Sequence, residues 1–176
     1  MTELRSALIV AVPEAARAVD GWRERSCTAK SSNGVPAHVT LLFPFVPVPE
    51  IDGALLAELC ELFGQFQSFS FELRELRRFP SVLYLPPEPP GPFVQMTEAL
   101  VASYPDYPPY GAIFDSIVPH MTVAEGEPEL LDKAGRDIRI ALPITAQAIE
   151  VILIEEVEPD LASWQTRARI PLGASS

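Results

Sequence analysis

The chain has 176 residues, 48% of them hydrophobic, with 13 Lys and Arg against 24 Asp and Glu. That length and apolar content fit one domain with a full core. The net charge of −11 argues against a broad basic track for duplex nucleic acid, which needs clustered Lys and Arg, but leaves room for a small anionic ligand held by a few local groups.

Ser6 to Val12 reads as a short buried strand. Its apolar run is too short for a secretory core, and no stretch suits a membrane-spanning helix. The expectation is a soluble cytoplasmic protein. Pro13 can open a helix that runs to about Arg25, with Ala15, Ala18, Val19 and Trp22 on one side. Residues 27–34 form a polar loop, and Ala37 to Val46 reads as a strand. Asp52 can cap a helix in which Leu55, Leu56, Leu59, Leu62, Phe63 and Phe66 recur at helical spacing. Phe69, Phe71 and Leu73 alternate with polar residues as in a half-buried strand, with Ser81 to Leu85 as its expected partner.

A proline-rich connection over 86–92 precedes a helix from Phe93 to Tyr104, which Pro105 stops. A Pro/Tyr-rich loop over 104–110 follows. Ile117 to Ala124 reads as a strand, Pro128 to Arg139 as a helix, and 144–157 with 164–170 as a closing hairpin. Residues 173–176 read as a disordered tail. Strand, helix, strand, helix and further strands therefore occur twice. The expectation is an α+β fold with largely antiparallel sheets, one domain over 1–176 with halves near 1–80 and 81–172.

The two histidines of the chain sit in matching contexts, Pro36-Ala37-His38-Val39-Thr40 and Pro119-His120-Met121-Thr122. With seven threonines in 176 residues, a Thr two places after both histidines arises by chance about 0.2% of the time, so coincidence is a poor explanation. In a strand, residues two apart share a face. His38 and Thr40 then point one way, as do His120 and Thr122. Two imidazoles can take a proton from a nucleophile and give one to a leaving oxygen, because their pKa lies near neutrality. Two hydroxyls can donate to phosphate oxygens. Which histidine is acid and which is base stays open at this level.

Other chemistries have less support. Neither histidine has further ligands at zinc spacing. There is no Gly-x-Ser-x-Gly elbow and no phosphate-cradling glycine loop. Cys27 and Cys60 form no metal or disulfide pattern, and buried reduced thiols are expected. The cations fall in loose groups that read as solvated surface, with the group Arg17, Arg23, Arg25 and Lys30 ahead of His38 as the exception to watch.

The segments Pro36 to Phe45 and Pro119 to Ala124 resemble the paired motifs of the 2H phosphoesterase superfamily, in its 2'-5' RNA ligase-like, cyclic phosphodiesterase branch. Phe79 to Leu85 and the later Pro109-Tyr110-Gly111 loop add context. The resemblance implies a bilobal, pseudo-twofold fold of two mainly antiparallel sheets flanked by helices around a central groove. It implies metal-independent, cofactor-free chemistry on 2',3'-cyclic phosphates or 2'-5' phosphodiesters. His38 and His120 become the acid–base pair, and Thr40 and Thr122 the phosphate-binding hydroxyls. The implied partner is a nucleotide or RNA end, and the implied state a monomer. Arg25 and Lys30 are candidates to line the groove. Phe45 and Tyr84 are candidates to stack on a base, a role with which core packing competes. The alternative is a module that binds a nucleotide or RNA end without turning it over.

Overall fold

The hydrogen-bonded strands do not respect the midpoint of the chain. In a computed structural model that describes residues 3–26, 33–113, 116–161 and 163–174, β1 (Ser6–Ala11) lies between β2 (His38–Leu42) and β9 (Glu150–Glu158). β10 (Ser163–Pro171) completes a four-stranded sheet in the order β10-β9-β1-β2. A second sheet joins β3 (Phe69–Leu73), β6 (Pro87–Glu88) and β8 (Ile144–Ala148) in the order β6-β3-β8. A third joins β4 (Arg77–Phe79), β5 (Val82–Leu85) and β7 (Met121–Glu125) in the order β4-β5-β7. Among the described residues, every pairing between these strands is antiparallel. The α+β class holds, with three sheets where the sequence suggested two.

One expected pairing and one expected strand are corrected. Ser81 to Leu85 does not pair with Phe69–Leu73; β3 pairs instead with β8, and β5 lies between β4 and β7. The run 144–157 is two strands, not one. Burial alternates along β8, as in a strand covered on one face, whereas β9 is buried without a break from Val151 to Glu156. Between them Ile149 stands 60% exposed, and there the chain passes from one sheet to another.

The helices cross over in the same way. α1 (Ala16–Ser26) packs on β7, and α3 (Gly91–Ser103) packs on β2. Each motif strand is thus backed by a helix from the other half of the chain. α2 (Gly53–Gly64) covers β10, and α4 (Pro128–Arg139) lies on β5 and β7. Asp52 caps α2 as expected, its carboxylate accepting from the Leu55 N–H at 2.9 Å. Thr97 of α3 donates to the Leu41 carbonyl at 2.9 Å, which fixes the helix against the first motif. One large hydrophobic cluster runs through all of these elements.

The duplication is visible in the register. β1 pairs with β2 and β5 with β7, each with one irregular step. Ile9 therefore sits opposite Thr40, and Tyr84 opposite Thr122.

Two smaller expectations are also corrected. Gly173 is not part of a loose tail: its N–H donates to the Phe66 carbonyl at 2.7 Å, and its carbonyl accepts from Ser68 N–H at 2.8 Å. Cys60 is exposed on α2, not buried, because it falls on the polar side of the stripe formed by Leu55, Leu59 and Phe63. Cys27, Lys30, Ser175 and Ser176 lie outside the described residues. Among those described, no helix is long and apolar enough to cross a membrane.

Candidate active site

Burial along β2 follows the strand period. Val39 and Leu41 are buried, and His38 and Thr40 are half-buried on the opposite face. β7 repeats the pattern with Met121 and Val123 buried and Thr122 half-buried. His120 stands one residue ahead of β7, so the second motif enters its strand slightly later than the first.

Both imidazoles are tethered in the same manner. His38 Nδ1 lies 2.8 Å from the Pro36 carbonyl, and His120 Nδ1 lies 2.7 Å from the Val118 carbonyl. A carbonyl only accepts, so each Nδ1 carries the proton and donates it. Nε2 is then the atom left for chemistry on both rings. The prolines have a local role here. Pro36 itself supplies the carbonyl that holds His38, while Pro119 restricts Val118 to extended backbone and so helps to aim the carbonyl that holds His120.

The surroundings of the two rings differ. His38 is held down to about 4, chiefly by burial, against the opposing effect of its bond to Pro36 and with the charges of Arg23 and His120 adding to the depression. His120 is thus close enough for its charge to bear on His38, and β2 and β7 are neighbours. The structure brings the two motifs into one electrostatic site. Arg23 is the buried cation behind it. It reaches from α1 to donate to the Val35 carbonyl at 3.0 Å and pairs with Asp20 at 3.5 Å. His120 is instead walled by aromatic rings: Phe79 at 5.4 Å and Tyr84 at 5.6 Å, both near edge-on. Phe79 and Tyr84 stack on each other at 4.3 Å.

The two base-stacking candidates therefore take other places. Phe45 is 2% exposed and packs edge-on against Tyr104 and Tyr107, so it is a core residue with no free face. Tyr84, 6% exposed, supports His120 and Phe79. Arg25 does not join the histidines either; it folds back over the Trp22 ring at 4.2 Å and donates to the Gly21 carbonyl.

Sequence reading missed Tyr110. Its phenol is hydrogen-bonded to Thr40, and burial pushes its ionisation up, so it remains a neutral O–H. Its backbone is left-handed, at φ 50° and ψ 33°, a conformation that costs a non-glycine residue about 1–2 kcal/mol. The N–H of Tyr110 donates to the Phe43 carbonyl at 2.6 Å, which holds that conformation in place. Paired residues share a sheet face, so Ala11, Ile9 and Ile152 lie on the face that carries His38 and Thr40. These residues belong to a second apolar cluster, closed by half-buried Phe43 and Trp164. Among the described residues no group of three His, Cys, Asp or Glu is placed to hold a metal ion.

The family model of the 2'-5' RNA ligase superfamily matches residues 11–160. No curated protein sequence matches the chain. Among solved structures, E. coli LigT complexed with NADP+ aligns over 98% of this chain and 99% of its own, at 17% identity and a TM-score of 0.59. The same protein complexed with 3'-AMP gives 0.57 at 17% identity over the same shares. The protein TT0787 of Thermus thermophilus aligns over 98% of this chain and 100% of its own, at 20% identity and a TM-score of 0.66. At these identities the solved structures speak for the fold, and the family model spans both His-x-Thr motifs. The chain belongs to the 2'-5' RNA ligase superfamily of 2H phosphoesterases.

Proposed function

We propose that the protein is a phosphoesterase that opens 2',3'-cyclic phosphates, or cleaves or reversibly forms 2'-5' phosphodiesters, at nucleotides or RNA ends. The observation that carries this reading is the matched tethering of the two rings, which leaves Nε2 of His38 and Nε2 of His120 as the reactive atoms. With its pKa near 4, His38 is neutral at pH 7 and fits the base. His120 is then the acid.

For a cyclic phosphate, His38 Nε2 takes a proton from water as the water oxygen bonds to phosphorus. The bond from phosphorus to the 2' or 3' oxygen breaks, that oxygen keeps the electron pair, and His120 Nε2 gives it a proton. The product is a phosphomonoester. Thr40 and Thr122 donate hydrogen bonds to the non-bridging oxygens as charge develops. The two imidazoles supply acid and base between them, so the step needs no metal. That E. coli LigT has been crystallised with NADP+, 3'-AMP and ATP supports a nucleotide as the ligand class.

The test is turnover of 2',3'-cyclic mononucleotides in chelator, with products separated by chromatography. Wild type is expected to yield one phosphomonoester isomer, which identifies the leaving oxygen. A folded wild type that binds the nucleotide but releases no product would replace this reading with a binding module.

A further inference from the structure

We infer that the protein carries a second anion site, around the β4 edge from the histidines, in which four arginines hold backbone phosphates of an RNA strand whose end reacts at His38 and His120. This deepens the proposed function and rests on it for the identity of the reacting end. Arg77 and Arg78 of β4 and Arg136 and Arg139 of α4 line one cavity of about 330 Å³. In a chain of net charge −11 with only 13 cations, four arginines lining one cavity are a local exception.

Charge pairing does not use them up. Arg78 pairs with Asp132, the one carboxylate in the lining, and Arg77 with Glu75. Arg136 and Arg139 are exposed and have no hydrogen-bond or ion-pair partner among the described residues. Cations in the last turn of α4 suit the helix dipole. The dipole does not explain why β4 brings two more arginines to the same cavity. The cavity floor is apolar, made by Leu76 and Leu83 lying over Gly135, and such a floor weakens screening of the surrounding charges. Guanidinium groups suit phosphate because they bind its oxygens bidentately.

The link to the active site is β4 itself. Arg77 pairs with Tyr84, and Phe79 with Val82, so Arg77, Phe79 and Tyr84 share one face of the hairpin. On that face Phe79 and Tyr84 touch His120. Arg77 also lines the cavity. Arg78 and Leu83 share the opposite face, toward α4, so the cavity lies around the β4 edge from His120. Arg77, two residues or about 7 Å of strand from Phe79, is the lining arginine on the His120 side. β4 is an edge strand, so no further strand closes the path. A strand of RNA leaving the histidines passes Arg77 and reaches the other three arginines. A mononucleotide is too short to do so.

The experiment compares wild type with the double variant Arg136→Ala/Arg139→Ala, and with Arg136→Lys/Arg139→Lys, which keeps the charge. The probes are a 2',3'-cyclic mononucleotide and a single-stranded RNA octamer ending in a 2',3'-cyclic phosphate. Binding of a labelled, 3'-phosphorylated octamer is followed by fluorescence anisotropy at several salt concentrations. The alanine variant is expected to lose roughly tenfold in octamer affinity and kcat/KM at low salt. The slope of log affinity against log salt should shrink by about 0.7 for each phosphate that is no longer neutralised. Mononucleotide kcat/KM should not change, and the lysine variant should recover part of the octamer affinity. Unchanged octamer affinity and slope in the alanine variant would overturn the inference. So would an equal loss on the mononucleotide. If wild type turns over neither probe, the anisotropy series still decides the arginine site, and only the proposed reaction fails.

Discussion

Lowering the pH from 7 to 4 charges histidine in the unfolded chain first, because His38 in the folded protein resists protonation down to about 4 while its ordinary value is 6.5. Between those two values the unfolded state binds more protons at this position than the folded state, so stability rises with pH across the window and is complete above 6.5. Each pKa unit corresponds to about 1.36 kcal/mol, which sets a ceiling of about 3 kcal/mol. His38 is half-buried, and water reaching its exposed part brings the expected effect to about 2 kcal/mol. Carboxylates titrate in the same range, so the comparison is with His38→Gln, which keeps them all. Urea unfolding of both proteins at pH 7 and pH 4.5 should show wild type losing about 2 kcal/mol more than the variant. The chain has only two histidines, so one substitution assigns both ring signals by NMR, and the His38 signal should titrate well below 6. A His38 midpoint near 6.5, or parallel stability losses in the two proteins, would refute the reasoning.

Arg23→Met removes a cation that depresses His38 and the donor held by the Val35 carbonyl. The His38 midpoint should rise by NMR, and thermal unfolding should report a loss of about 2 kcal/mol. Gly34 has φ +84°, and a Cβ there would lie 2.1 Å from the Trp164 carbonyl oxygen. Gly34→Ala should therefore cost about 2 kcal/mol or more in chemical denaturation, because backbone has to move on both sides. Tyr110→Phe takes away the partner of the Thr40 hydroxyl. With the fold intact by circular dichroism, kcat/KM on a cyclic nucleotide should fall about three- to tenfold, the scale of one lost hydrogen bond.

Much of this site was legible in the sequence because its signal is local. His-x-Thr within an alternating strand fixes which side chains share a face without knowledge of any partner strand, and both motifs keep that alternation. The helices were legible for the same reason. The Asp52 cap and the Pro128 start of α4 are set by neighbours within one turn. Contacts across long sequence separations were not legible. Nothing near Phe69–Leu73 says that its partner is 144–148 instead of 81–85, since both candidates are short apolar runs. Tyr110 meets Thr40 from 70 residues away in a loop without periodicity. Phe45 carried two readings, base stacking and core packing, and the rings that decide for the core, Tyr104 and Tyr107, are also distant in the chain. The Arg77–Arg139 cluster draws on two segments about 60 residues apart, and only the packing of α4 on β5, the hairpin partner of β4, unites it.

The most direct measurement is kcat/KM on a 2',3'-cyclic nucleotide, in chelator, for His38→Ala, His120→Ala and the double variant. If the two imidazoles act as base and acid in one step, each single variant should lose about 10²- to 10⁴-fold. The double variant should then lose little beyond the worse single one. A single variant that keeps wild-type turnover, or losses that multiply in the double variant, would contradict a shared two-histidine site.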